Sequence, residues 1–396
     1  MLSEESAATI RATLPTVSAA VDEITTLLYE RMFAEHPELR RDLFNRGNQA
    51  NGAQQRALAG AIATFASALV ERPGVRPDAL LSRVAHKHAS LGITSDQYVI
   101  VHRHLFAAIR EVLGTAVTEK VARAWDEVYW LMAGALIALE SRLYAESGTP
   151  DGDVWRTYEV IDRHPETADT EAFVVRPTDG SPVPASKPGQ YVSVRLEMPD
   201  GARQIRQYSL TDNASTQALR FAVRRVTGDP DGEVSHGLHE RVRPGDTLRI
   251  SLPRGDVQLD DSERPVLLAS AGIGCTPMIS MLNGLAATDS ARRVIALHAD
   301  RSERTHAFRA DLEQLVGKLS HATQHVWYET PEGPWPSDRT GRMDLSTLEL
   351  PAHAVAYLCG PLPFLRSCHA QLLAQGLAPA DSHYEVFGPD LVLDQD

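Results

Sequence analysis

The apolar residues of this chain change their spacing twice, and each change rules out a different set of folds. Up to about Tyr144 they recur at steps of three and four. Trp125, Val128, Tyr129, Met132, Leu136, Leu139 and Leu143 mark one face of a long helix, and Ile62, Phe65, Ala66 and Leu69 mark a face of another. No stretch in this region reads as a strand. Gly148, Pro150 and Gly152 then punctuate a linker. Beyond it the period falls to two. In "YVSVRLEM", Val192, Val194, Leu196 and Met198 alternate with Ser193, Arg195 and Glu197; "LRFAV" and "TLRISL" repeat the pattern. Turn signals at Asp179-Gly180, Asp200-Gly201, Asp231-Gly232 and Pro244-Gly245-Asp246 separate such strands, as in a small antiparallel barrel. From Arg264 onward the strands are short, continuous apolar runs: "PVLLAS", "RVIALHA" and "AVAYLCG". Runs of that kind belong to a parallel sheet buried on both faces, with helices between them. The expectation is a multidomain chain: an all-α domain over 1–147, a β-barrel over 152–262 and an open α/β domain over 263–396.

With 396 residues the chain is too long for one ordinary core, which agrees. A formal charge of -13 argues against nucleic acid as a partner, because phosphate binding needs clustered positive charge. Glu4 and Glu5 near the start argue against a signal peptide. The longest apolar run, around Tyr129 to Leu139, is too short to span a bilayer. The three cysteines, Cys275, Cys359 and Cys368, show no C-x-x-C spacing, so zinc and iron–sulfur sites are not expected there. Their number fits a reducing compartment, and a cytoplasmic monomer is the expectation.

Two motifs in the last third sit where an open sheet binds ligands. "ASAGIGCTPM" sets Gly272 and Gly274 directly after a strand, with Thr276 as N-cap and Pro277 at the first helical position. Free amides at such a helix start favour a pyrophosphate. The pattern is G-x-G-x-x-P, and a plain tight turn would give it equally well. "YLCGPLPF" places Cys359, Gly360 and Pro361 at a second strand end. In the barrel region, "RQYSL" offers an arginine for a phosphate and a tyrosine for a flat ring.

Together with "KPGQYVSV", "GEVSHGLH" and "YEVFGP", these motifs resemble the ferredoxin–NADP reductase-like flavoproteins across essentially all of residues 153–390. The resemblance implies that Arg206, Tyr208 and Ser209, with Gln207 between them, hold FAD, and that Tyr191 lies beside it. Gly232, Glu233, Val234 and Ser235 would bind its pyrophosphate. Val386, Phe387, Gly388 and Pro389 would close over the flavin. Gly272, Ile273, Gly274, Cys275, Thr276 and Pro277 would bind NADH or NADPH. Cys359 and Gly360 would lie near the nicotinamide, with no covalent role for the thiol. Arg301 and Arg304 could reach a 2′-phosphate or be surface charges, so the choice between the two dinucleotides stays open.

The helical segment poses a different question. "VAHKHASLGI" holds His86 and His88, and residues two apart on a helix lie roughly 200° apart around the axis, so they cannot share a ligand. His102 and His104 repeat the spacing and are equal candidates by chemistry alone. "LLYERMF", "DLFNRGNQANGAQQRAL", "VAHKHASLGI" and "IALESRLY" in this order resemble the globin domain of the flavohaemoglobins, which are nitric oxide dioxygenases. That resemblance selects His88 as the axial ligand of haem b and leaves His86 exposed. It makes Glu140 and Tyr98 partners of His88, Tyr29 the hydrogen-bond donor on the opposite side of the haem, and Phe44, Gln54 and Leu58 lining residues there. Lys87 would extend toward the haem edge, and Glu385 would act from beside the flavin, both tuning redox potentials.

The implied activity is conversion of NO and O2 to nitrate, with electrons passed from NAD(P)H through FAD to haem. A lipid hydroperoxide reductase or peroxidase, an oxygen-binding globin kept reduced by its own flavin module, and a redox or gas sensor remain as alternatives.

Overall fold

The computed structural model describes residues 2–72, 77–212 and 217–388. Its contacts divide into two units. The first takes in residues 2–155 together with 197–206, and the second takes in 156–196 and 207–388.

The first unit is helical. Its helices are α1 (Glu4–Ala19), α2 (Val21–Glu35), α3 (Pro37–Asp42), α4 (Arg46–Ala50), α5 (Ala53–Glu71), α6 (Asp78–Leu91), α7 (Ser95–Leu113) and α8 (Glu119–Glu146). Their ends are written in the sequence. Ser3 caps α1 by accepting from the Ser6 amide, Thr118 does the same for α8, and Thr94 with Gln97 forms a capping box at the start of α7. The predicted apolar faces meet in one core. Trp125, Val128, Tyr129, Met132 and Leu136 of α8 are buried with Phe65 and Ala66 of α5, while Leu139, Leu143, Ile62 and Leu69 pack at its margin. No helix among the described residues is long and apolar enough to cross a membrane.

A closed six-stranded barrel follows. Its strands are β1 (Trp155–Pro165), β2 (Thr170–Pro177), β3 (Tyr191–Glu197), β4 (Arg203–Asp212), β5 (Leu219–Arg224) and β6 (Thr247–Ser251), in the order β1-β2-β5-β4-β3-β6. Gly180, Gly201 and Gly245 adopt positive φ, as their turns require. Asp231-Gly232 is not a hairpin turn: Gly232 has a φ of -70° and starts helix α9 (Glu233–Arg241). The small and polar residues of "GEVSHGLH" show no helical period, which hid this helix in the sequence.

The remaining elements are β7 (Val266–Ala271), α10 (Cys275–Ala287), β8 (Val294–Asp300), α11 (Arg309–Lys318), β9 (Ala322–Tyr328), β10 (Val355–Cys359), α12 (Leu362–Ala374) and β11 (Ser382–Glu385). All neighbouring strands are parallel, in the order β11-β10-β7-β8-β9. The continuous apolar runs divide by alternation. Val266 and Leu268 face the core shared with Met278, Ile279 and Leu312, whereas Leu267 and Ala269 face Leu365 and Leu372 of α12. The chain enters at β7, builds β8 and β9 on one side, and then returns to place β10 on the other. The switch point therefore lies between the ends of β7 and β10, where open sheets bind ligands.

Candidate functional site

The turn between α6 and α7 brings His88 and Tyr98 together. Gly92 ends α6 with a φ of +80°, and the Ile93 amide donates to the His88 carbonyl. A Cβ at Gly92 would lie 2.8 Å from the Gly152 carbonyl oxygen, so only glycine fits. Two residues later the capping box starts α7, and Tyr98 lies in its first turns. His88 and Tyr98 thus face each other across a tight helical corner, and Glu140 reaches them from α8.

The three side chains form a closed triangle. His88 Nδ1 lies 2.8 Å from Glu140 Oε1 and 2.9 Å from the Tyr98 hydroxyl, and that hydroxyl donates to Glu140 Oε1 at 2.6 Å. The tautomer follows. A tyrosine has one proton to give, and it goes to Glu140; the imidazole must then carry its proton on Nδ1 to donate to the same carboxylate. Nε2 is left with a lone pair. Burial, and then the Glu140 charge and hydrogen bond, push the Tyr98 phenol well above its ordinary pKa, so it remains a donor. Glu140 is only 2% exposed, and a buried carboxylate needs such donors. The His88 side chain keeps 31% of its surface accessible. A ring anchored through Nδ1, with Nε2 unprotonated and room beside it, fits a haem iron.

The other histidines are engaged differently. His102 Nε2 lies 2.6 Å from Asp126 Oδ1, and its ring stacks on Phe106 and Trp130. His104 is buried beside Arg103 and His36. His86, expected to be exposed, is half-buried, as are Val84 and Lys87, because α6 is covered on more than one side.

A second aromatic group is built on α2. Tyr29 is 5% exposed; its ring stacks on Phe33 at 5.6 Å and meets Phe44 edge-on at 5.7 Å. Burial raises the Tyr29 pKa, against a side-chain hydrogen bond from Gln54, so the phenol keeps its proton. Leu58 of α5 packs against the main helical core.

In the second unit the two strand-end motifs converge at the switch point. A Cβ at Gly274 would lie 2.3 Å from the Cys359 carbonyl oxygen and 2.9 Å from the Gly360 nitrogen. Gly360 is also tight, with a Cβ there 2.7 Å from Phe364 Cδ1. The helix start differs from expectation. A 3-10 turn, Gly272–Gly274, runs straight into α10, so Gly274 is the N-cap and Thr276 and Pro277 fall inside the first turn. The Thr276 hydroxyl donates to the Ile273 carbonyl, and no side chain caps the α10 amides. Gly232 opens α9 in the same way, with no side-chain cap, and a Cβ there would lie 2.7 Å from Ser235 Oγ. Two helix starts with uncapped amides and no space for a side chain suit the phosphates of two nucleotides.

The remaining predicted residues are less concentrated. Tyr208 stacks on Phe221 at 5.6 Å, Gln207 donates to Ser193 Oγ, and Ser209 is buried. Arg206 Nη1 donates to the Ile205 carbonyl, and the Tyr191 backbone pairs with Arg254. Glu233 starts α9, and Val234 is buried. Cys275 and Cys359 are fully enclosed, and burial raises the Cys275 thiol, the setting of an unreactive cysteine. Val386 is buried, Phe387 is 49% exposed, and the Gly388 amide donates to the Val386 carbonyl. Glu385 is buried at the end of β11. Pro389 lies outside the described residues. Arg301 lies 3.9 Å from Asp169, and Arg304 lies 2.5 Å from Glu332, so both guanidinium groups rest on carboxylates.

Residues 26–136 match the globin family, and residues 268–370 match the oxidoreductase NAD-binding domain. The flavohemoprotein of Bordetella parapertussis is 41% identical over 98% of this chain and 99% of its own length. That of Rhizobium meliloti is 39% identical over 99% of both. This chain belongs to the flavohemoprotein family. The flavohemoglobin of Malassezia yamatoensis, solved with bound FAD and heme, superposes with a TM-score of 0.90 at 36% identity, covering 98% of this chain and 100% of that one. The FAD/NAD-binding domain of a nitric oxide dioxygenase from Vibrio cholerae superposes with a TM-score of 0.55 at 39% identity over 59% of this chain and 99% of that one.

Three aromatics that apolar spacing marks as core or not at all also support the site. Tyr129 donates to the Tyr98 carbonyl at 2.6 Å, and Tyr144 donates to the Ile93 carbonyl at 2.6 Å. Both hold the α6–α7 corner from α8. Phe33 packs between Tyr29 and Phe44. Its i+4 spacing from Tyr29 was the one available signal.

Proposed function

We propose that this flavohemoprotein is a nitric oxide dioxygenase, converting NO and O2 to nitrate at the expense of NAD(P)H. The observation that carries the reading is the His88–Tyr98–Glu140 triangle on a chain that also holds a complete nucleotide-binding unit. Haem b and FAD, when bound, supply one-electron chemistry and hydride acceptance respectively. Glu140 holds the His88 proton on Nδ1 and makes Nε2 more basic, and Tyr98 keeps both groups in place. Tyr29, a protonated phenol in an apolar setting, offers its O–H to a small polar ligand, with Gln54, Phe44 and Leu58 around it. Arg206, Tyr208, Ser209 and Tyr191 hold the flavin, and the uncapped start of α9 takes its pyrophosphate. The Gly272–Pro277 turn takes the dinucleotide, bringing the nicotinamide toward Cys359 and Gly360. The reading carries a cytoplasmic location, which the absence of any disulfide among the three cysteines supports.

The test is rapid mixing of the reduced, oxygen-equilibrated protein with nitric oxide. Nitrate formed in proportion to NO, with steady NAD(P)H consumption, is the expected result; NO persisting without nitrate would overturn the assignment. The same triangle would also assist cleavage of an O–O bond, so a hydroperoxide reductase is the second reading. NAD(P)H oxidation faster with an organic hydroperoxide than with NO would favour it.

Two further outcomes follow from single side chains. Tyr29→Phe removes a hydrogen bond worth about 1–2 kcal/mol, so oxygen should dissociate roughly tenfold faster. An unchanged off-rate in laser photolysis or stopped-flow would remove Tyr29 from the ligand side. Lys87, next to His88 on α6, is assigned to the haem potential and Glu385 to that of the flavin. A unit charge about 8 Å away at an effective dielectric near 20 is worth at most ~2 kcal/mol, less where solvent screens it. Lys87→Ala should therefore lower the haem midpoint potential and slow its reduction, leaving NAD(P)H-to-FAD reduction near normal, while Glu385→Gln should shift the flavin potential. Unchanged spectroelectrochemical midpoints would make both residues bystanders.

A further inference from the structure

We propose that Glu35, His36 and His104 form a binding site for a divalent transition-metal ion on the helical unit, separate from the His88 site, and that the Arg103 guanidinium stands in for the ion when none is bound. Arg103 Nη2 lies 2.6 Å from Glu35 Oε2, 3.4 Å from His36 Nε2 and 3.2 Å from His104 Nε2. The three residues can present ligand atoms all within 4.8 Å of one another. A guanidinium only donates, and Nη2 has two N–H bonds, one of them spent on Glu35 at 2.6 Å; an imidazole Nε2 that takes the other is an acceptor with a lone pair. Lone pairs of that kind are what a metal requires.

The surroundings support ligation. Glu38 Oε1 lies 3.4 Å from His36 Nδ1, within reach of the carboxylate backing that ligating histidines use. His104 is 3% exposed, so its ring is held in one place by the packing of α7. Glu35 is the last residue of α2 and His36 is its C-cap, so the carbonyl end of that helix points its partial negative charge toward the cluster. Two imidazoles and one carboxylate, with a fourth position for water, suit Zn²⁺ or a neighbouring first-row ion. The side chains of Arg103 and Glu35 are 59% and 58% exposed, so the arginine can swing out and the carboxylate can close to bonding distance. An ion bound here would tie the end of α2, which carries Tyr29, to the middle of α7, which carries Tyr98.

The experiment uses the full-length protein loaded with haem and FAD, titrated with Zn²⁺ against a chromogenic zinc indicator. Wild type should take up one tightly held equivalent. His36→Ala and Glu35→Gln, both at accessible positions, should each weaken it at least tenfold, and Arg103→Ala should tighten it at least threefold by removing the competing cation. His321→Ala, at an exposed histidine of the second unit, should change nothing. Zn²⁺ should also raise the melting temperature of wild type but not of His36→Ala. Unchanged affinity in His36→Ala and Glu35→Gln, or no tightening in Arg103→Ala, would overturn the proposal, as would an equal loss in His321→Ala.

Discussion

His88→Ala should purify with its flavin intact and most of its haem gone, or with a haem spectrum showing a different axial ligand. The histidines differ in what already faces their Nε2. His88 spends Nδ1 on Glu140 at 2.8 Å and keeps Nε2 free. His102 has Nε2 on Asp126, and its ring lies in an aromatic stack. His104 turns its Nε2 to Arg103. His86 on the same helix makes the natural control, because residues two apart lie roughly 200° apart around the α6 axis. Loss of haem in His86→Ala with retention in His88→Ala would redirect the assignment. Normal content and spectrum in both would sink it. The flavin should be unaffected, since the residues proposed to hold it, on β3, β4 and the start of α9, include none of the triangle.

The second large effect is expected at Gly274. Gly274→Val would drive side-chain carbon into the backbone of β10, because even the first carbon falls 2.3 Å from the Cys359 carbonyl oxygen and 2.6 Å from its carbon. No rotamer relieves a clash with main chain. Overpacking of this kind costs about 1–3 kcal/mol in a core, and here it would force apart the two strand ends that frame the switch point. NAD(P)H-to-FAD reduction should slow at least tenfold in single-turnover mixing, with haem content, FAD content and chemical reduction of the haem near normal. A wild-type rate would show that the crevice between Gly274 and Cys359 is not where the dinucleotide binds.

The architecture was legible because each unit has its own hydrophobic period. Trp125 to Leu136 mark a helix without help from any neighbour, and Val266 to Ser270 can only be a strand buried on both faces. What failed to show were elements whose period is broken by function. Helix α9 is masked by Gly232, Ser235, His236 and Gly237. The start of α10 moved because a 3-10 turn delivers the chain directly into the helix, making Gly274 rather than Thr276 the cap. The site was less legible than the fold. Chemistry alone left His88, His102 and His104 equivalent. They differ only in partners contributed from elsewhere: Glu140 is 52 positions from His88, and Asp126 is 24 positions from His102. Tyr129 reads as core and Tyr144 carries no signal; both are buried, but hydroxyls aimed at the carbonyls of Tyr98 and Ile93 leave no trace in apolar spacing.

The geometry of the triangle also sets an order of assembly. Tyr98 is 10 residues from His88, across a corner fixed by Gly92 and the Thr94 capping box, whereas Glu140 is 52 residues away. Closing the longer loop costs about 1.5 kcal/mol more in chain entropy. Local pairing of α6 with α7 can therefore precede docking of α8, and until α8 docks nothing fixes the proton on Nδ1. An imidazole free to exchange tautomers offers a metal the wrong nitrogen part of the time. With His88 as the proposed ligand, arrival of the last helix of the unit would act as a checkpoint in biogenesis: the chain would become a selective host for its prosthetic group only after the triangle's longer-range contact has formed.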